Sequence, residues 1–267
     1  MDGIRGRRFA AQVGRFRARF AQAGSSTLSK LMPASLLEGL ITQSRERWRD
    51  RIYGPLQTLK LFLDQVLSAD GSCQDAVARG LSERTALGLA PCSLNNAAYC
   101  VARRRLPLSL IVGLAQTLGE RLEQSQPKQW LWRGRPIVLA DGTTVSMPDT
   151  TANQARFPQS GEQQPGLGFP LARLVALVSL STGAVLGWAS GPCKGKQTSE
   201  MALLWRLAGQ LKRGDVMIAD RFYASYLMLA HLRSLGVDVV RRQHQRRRTD
   251  FRRGQRLGKG DHVVCWA

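Results

Sequence analysis

Residues 131–240 read as an α/β domain, and the stretch before them as all-α. Three observations lead there. Up to about residue 130 apolar residues recur at three- and four-residue intervals; beyond it short β-branched runs appear; and those runs alternate with two amphipathic stretches in the order β-β-β-α-β-α-β.

The helical part comes first. "IYGPLQTLKLFLDQVLSAD" sets Leu56, Leu59, Leu63 and Val66 on one helical face, and "GSCQDAVARGL" opens with Ser72 and Asp75 at capping-box spacing. "SLNNAAYCVARRRLP" reads as a further helix, with Ser93 as its candidate cap, Arg103, Arg104 and Arg105 at its end and Pro107 as its stop. "LEQSQPKQWLWRGRP" then loses periodicity and gathers Pro, Gly and Gln, which marks a boundary near 130. The expected organisation is a basic segment 1–47, a helical region 48–130 suited to DNA binding, the α/β domain 131–240, and the start of a basic region at 241–267.

In the α/β part, "PIVLAD" (136–141) is a first strand, and "LARLVALVSLSTGAVLGWAS" reads as two strands joined at Ser-Thr-Gly. "KQTSEMALLWRLAGQLKRG" carries Leu203, Leu207 and Leu211 on one helical face, with Gly214 as the stop. It leads into "DVMIAD", a strand ending at Asp220. "SYLMLAHLRSL" is the second helix, stopped by Gly236, and "VDVVRR" the fifth strand. After residue 240, nine of twenty residues are Arg or Lys against one Asp. Charge repulsion predicts weak order over 241–256; the alternative is a small strand pair built from "DFRRGQRLGKGDHVVCWA".

Charge narrows the function. The 267 residues carry 39 Lys+Arg against 19 Asp+Glu, a net charge of +20, so a polyanion is the expected partner, nucleic acid ahead of an anionic membrane. The apolar runs fall short of the ~20 residues a membrane span needs, and the Arg-rich first twenty residues have no signal-type apolar core. No membrane association and a cytoplasmic location are therefore expected. The five cysteines form no CxxC pair, which argues against disulfides and structural zinc.

Two buried-type strands both finish on an aspartate. Neighbouring parallel strands joined by helical crossovers would bring Asp141 and Asp220 together at their carboxyl ends, where α/β sheets bind ligands. Convergent carboxylates need a cation between them, and hard oxygen ligands favour Mg²⁺ or Mn²⁺. The alternative for each is local: Asp220 capping the next helix, Asp141 making an Asp-Gly turn with Gly142.

"LADGTTVSMPDT", "LARLVALVSLSTGAVLGWASGPCKGKQTSEMALL", "GDVMIADRFYASYLMLAHLRSLGVDVVRR" and "TDFRRGQRLGKGDHVVCWA" together resemble DDE-type insertion-sequence transposases, in the branch with a strand-rich insertion. "SCQDAVARG" and "AAYCVARRRLPLSL" are similar to that branch's N-terminal region, so the resemblance runs from about residue 48 onward. It implies an RNase H-like fold, with Asp141 and Asp220 as the first two metal-binding catalytic carboxylates. The family's third carboxylate is a Glu on a later helix, and this sequence has no Glu after Glu200. The expectation is a chain truncated before that residue. Glu200 itself, in the first turn of a helix, reads as a macrodipole and capping residue.

The function implied is binding of mobile-element ends and metal-dependent DNA cleavage and strand transfer, with this chain inactive alone. In that reading Asp141 bridges two metals and Asp220 holds one, while Thr143, Arg221 and Tyr223 shape the site or serve only as turn and packing residues. Candidate DNA-binding residues are Arg103, Arg104, Arg105, Arg221, Arg241, Arg242, Arg246, Arg247, Arg248, Arg252 and Arg253. Double-stranded DNA is the expected partner, with a homodimer or pairing with full-length transposase beside it. The alternative is a non-catalytic DNA-binding regulator or remnant. A basic RNA-binding protein is a third reading, without aromatic-rich strands to support it.

Overall fold

A computed structural model of the chain describes residues 32–43, 51–162, 164, 166–223, 225–243, 250, 252 and 254–264. The chain divides between Leu118 and Gly119 into two compact units.

The first unit holds helices α1 (Ala34–Gln43), α2 (Pro55–Leu67), α3 (Cys73–Ala86), α4 (Ala97–Arg104) and most of α5 (Leu108–Ser125). Leu59, Leu110 and Leu114 form one small core with Met32 and Leu37; Leu61, Ala76, Val77 and Tyr99 form another. The Ser72 Oγ accepts the Asp75 N–H at 3.1 Å, capping α3 as its spacing predicts. Gly80 lets α2 and α3 approach closely, since a Cβ there would lie 2.7 Å from Leu61 Cδ2. Ser93 does not cap α4. The helix begins three residues past the expected start, after Asn96, and the Ser93 and Asn95 side chains instead close two tight turns onto Asn95 N and Ala97 N.

The second unit is built on a mixed five-stranded sheet in the order β3-β2-β1-β4-β5. Its strands are β1 (Ile137–Ser146), β2 (Leu171–Ser179), β3 (Val185–Pro192), β4 (Val216–Ala219) and β5 (Asp238–Arg241). Strands β1, β2 and β3 pair antiparallel, while β4 is parallel to both β1 and β5. Three short helices complete it: α6 (Thr151–Arg156), α7 (Glu200–Leu207) and α8 (Tyr226–Ser234). This arrangement is consistent with an RNase H-like domain. A separate strand pair, β6 (Gln255–Gly258) with β7 (Asp261–Val263), realises the second of the two expectations for the basic C-terminal stretch. Residues 244–249, 251 and 253 of that stretch lie outside the described residues.

The first strand is longer than its apolar run. It was expected to end at Asp141 but continues to Ser146, because β2 pairs with it along its whole upper half, from Gly142 opposite Val175 to Ser146 opposite Leu171. The helix α6 after it was not anticipated.

Packing fixes α7 and α8 on the sheet. Val138 and Ala140 of β1 and Val175 and Leu177 of β2 join Leu203, Leu204 and Leu207 of α7, Ala208 of the 3-10 turn after it, and Met228 and Leu232 of α8 in one buried cluster. Leu203 and Leu204 are fully buried, each contributing about 1.5–3 kcal/mol of transfer free energy. At the amino ends of the parallel strands, Arg135 acts as a clasp. Its guanidinium donates to the carbonyls of Gly214 (2.7 Å) and Asp215 (3.2 Å) before β4 and pairs with Asp238 at the start of β5 (2.7 Å).

Candidate metal and nucleic-acid site

The sheet's register brings the two aspartates together. Parallel pairing of β1 with β4 runs from Ile137 opposite Val216 to Ala140 opposite Ala219 and stops there, and the next residue on each side is Asp141 and Asp220. Both are exposed. One oxygen of each is tied locally: Asp141 Oδ1 accepts the Gly142 N–H at 2.8 Å, and Asp220 Oδ1 accepts the Arg221 N–H. Neither local alternative holds. Asp141 and Gly142 lie inside a strand, not a turn, and α8 is capped by Ser225, whose Oγ accepts the Met228 N–H at 3.1 Å.

Two more groups approach this point from α7 and from the turn after β4. Tyr223, fully buried, closes the 3-10 turn Arg221–Tyr223; its N–H donates to the Asp220 carbonyl at 3.1 Å and its hydroxyl to Glu200 Oε2 at 3.1 Å. Burial, reinforced by the negative charges of Glu200, Asp141 and Asp220, pushes the Tyr223 phenol well above its ordinary pKa. Glu200 was expected to serve the helix end. It is the acidic residue of the first turn, as the macrodipole reading requires, but the cap belongs to Ser199, whose Oγ accepts the Ala202 N–H at 3.2 Å, while the Glu200 carboxylate turns to Tyr223 and Gly142. Nothing local in the sequence marks this contact, which joins residues 23 positions apart. Among the described residues no group of three or more His, Cys, Asp or Glu is arranged to hold a metal ion. Asp141 and Asp220 nevertheless fit a divalent cation chemically, as hard anionic donors exposed just past the last pair of the β1–β4 ladder.

The arginines separate by placement. Arg103 Nη1 donates to the Gln65 side chain at 3.0 Å, so it is tied to the helical core, whereas Arg104 and Arg105 are exposed. Arg221 and Arg242 are exposed; Arg241, opposite Ala219 at the end of β5, is half-buried. Arg252 makes a two-pronged pair with Asp250 (2.9 and 3.1 Å). Arg246, Arg247, Arg248 and Arg253 lie outside the described residues. Thr143 is an exposed β1 residue opposite Leu174.

Residues 132–265, the stretch that contains this sheet and both aspartates, match the family model described as "Transposase DDE domain". The chain belongs to the transposase DDE-domain family. A curated relative of this DDE-domain protein, the transposase InsG for insertion sequence element IS4 of Escherichia coli (strain K12), is 29% identical over 140 residues, which cover 50% of the present chain and 29% of InsG. The match thus spans less than a third of that relative's length. No described helix of the DDE-domain chain is long and apolar enough to cross a membrane.

Proposed function

We propose that this chain carries the Asp141–Asp220 portion of a transposase site for metal-dependent DNA cleavage and strand transfer, and that it binds the double-stranded ends of a mobile element. The observation that carries the reading is the register: Ala140 opposite Ala219, with an aspartate next on both strands. Asp141 and Asp220 are the ligands for Mg²⁺ or Mn²⁺. Such ions, when bound, activate water or a DNA 3′-hydroxyl and stabilise the leaving oxygen of an in-line displacement at phosphorus. The protein's part is geometric. The sheet core and the main-chain N–H groups of Gly142 and Arg221 aim the carboxylates, and exposed Arg104, Arg105, Arg221 and Arg242 offer charge to phosphates. No further Glu follows Glu200 in these 267 residues, so the proposal covers two carboxylates of the site.

The test is a titration of the purified chain with Mn²⁺, followed by electron paramagnetic resonance. Wild type should bind, and Asp141→Asn and Asp220→Asn should each lose most of the affinity while melting normally in EDTA. Equal binding by wild type and both variants would refute the site. The net charge of +20 by itself supports a second reading, DNA binding without chemistry. A nicking assay on element-end DNA with Mn²⁺ separates the two once binding is established.

A further inference from the structure

The Glu200 carboxylate and the Tyr223 hydroxyl lie against the α-carbon of Gly142. A Cβ at residue 142 would stand 2.5 Å from Glu200 Cδ, 2.7 Å from Glu200 Oε2 and 2.8 Å from Tyr223 Oη. The residue after one aspartate thus touches a pair of groups, one of which, Tyr223, is bonded through its main chain to the carbonyl of the other aspartate, Asp220.

We propose that Glu200 is a positioning residue for the aspartate pair: it backs the strand at Gly142 and holds Tyr223, so that the segments bearing Asp141 and Asp220 are fixed to one anchor. The inference rests on the metal-site reading above.

Two features support it. The anchor itself is rigid, because α7 is held to the sheet by fully buried Leu203 and Leu204 and its first turn is capped by Ser199 without help from Glu200. Strand alternation sets Gly142 on the same face as Val138 and Ala140, the face that α7 covers, and Asp141 on the opposite one. Glu200 therefore braces the strand from behind instead of joining the cation's ligands, in keeping with the absence of a three-carboxylate cluster among the described residues.

Mn²⁺ affinity of the full chain, read by electron paramagnetic resonance, tests the role. Glu200→Ala, Tyr223→Phe and Gly142→Ala should each weaken Mn²⁺ binding by roughly tenfold, the scale at which groups orienting metal ligands act. Glu200→Gln keeps an oxygen to accept the Tyr223 hydroxyl and should stay near wild type. The double variant Glu200→Ala/Tyr223→Phe should be no weaker than either single one, because both remove the same link. Gly142→Ala leaves both partners in the protein and pushes against the ends of both, the Glu200 carboxylate and the Tyr223 hydroxyl, so it reports on the contact even where a truncation fails to fold. Wild-type affinity in Glu200→Ala and Gly142→Ala, with Asp141→Asn still defective, would overturn the positioning role and leave the metal site standing. Equal losses in Glu200→Gln and Glu200→Ala would overturn it in favour of direct ligation. An absence of Mn²⁺ binding by wild type would remove both readings together.

Discussion

Ala140 and Ala219 face each other as the last pair of the parallel β1–β4 ladder, and the chain places an aspartate directly after each. Up to these alanines the two strands are apolar and buried or half-buried; one residue later both carboxylates are exposed. A buried charge is costly unless paired, so the change from core to solvent puts both carboxylates where a cation can reach them.

The position of this junction depends on the packing of α7. Leu203→Ala should cost about 2–5 kcal/mol of stability, because the site is fully buried among sheet and helix residues and leaves a cavity on truncation. Urea unfolding followed by circular dichroism would measure it, with an unchanged slope and a lower midpoint expected.

Arg135 ties the opposite ends of the same strands. Its three partners are two main-chain carbonyls and Asp238, and the ion pair is partly exposed, so the hydrogen bonds matter more than the charge. Arg135→Ala should destabilise the chain by about 1–3 kcal/mol, and Asp238→Asn by under about 1 kcal/mol. Comparing their urea midpoints checks the ranking; equal losses would contradict it.

Arginines on one helix should behave differently toward DNA. The Gln65 side-chain oxygen accepts from both Tyr99 Oη (2.8 Å) and Arg103 Nη1 (3.0 Å), which makes Arg103 part of the helical core. Arg104→Ala/Arg105→Ala should weaken duplex binding and lower the salt slope by about one to two units, since each phosphate contact contributes close to one. Arg103→Ala should lower the melting temperature. Affinity measured over a range of NaCl concentrations, beside a thermal melt, separates these effects.

Two buried phenols predict an alkaline limit. Burial pushes Tyr99 up to about 12 and, with the neighbouring carboxylates, raises Tyr223 as well. Both folded values lie above the ordinary tyrosine value near 10, so the folded state holds these protons more tightly than the unfolded one. Their contribution is complete below about pH 10 and declines as pH rises through the folded values. Stability should therefore fall between about pH 10 and 12, and less steeply in Tyr99→Phe. Urea midpoints taken across that range, with phenolate absorbance followed in parallel, provide the check.

Much of the second unit was legible because its signals are local. The runs "PIVLAD" and "DVMIAD" announce strands by composition, and the helix between β4 and β5 implies their parallel pairing; β4 beside β1 is less local, because the helix before β4 follows β3, which β2 and β1 separate from it in the sheet. What was not legible depends on partners far along the chain. β1 runs on past Asp141 to Ser146 only because β2, some thirty residues later, pairs with it. Ser93 looked like a cap because its type and spacing suited one, but Asn95 took the preceding turn. Glu200 is the clearest case: a glutamate in a first helical turn has a sufficient local explanation, so nothing in its neighbourhood points to Tyr223 or Gly142.

Arg206 reaches back to the Gln197 carbonyl, Arg173 to that of Thr198, and Ser199 closes the first turn of α7, yet the helix itself is seated by leucines two turns deep in the core. The connection between β3 and α7 is thereby relieved of any duty to aim the helix. Insertions or deletions around Lys194–Lys196, all exposed, should be absorbed without moving Glu200, leaving this loop free to diverge among relatives while the floor beneath the aspartates keeps its shape.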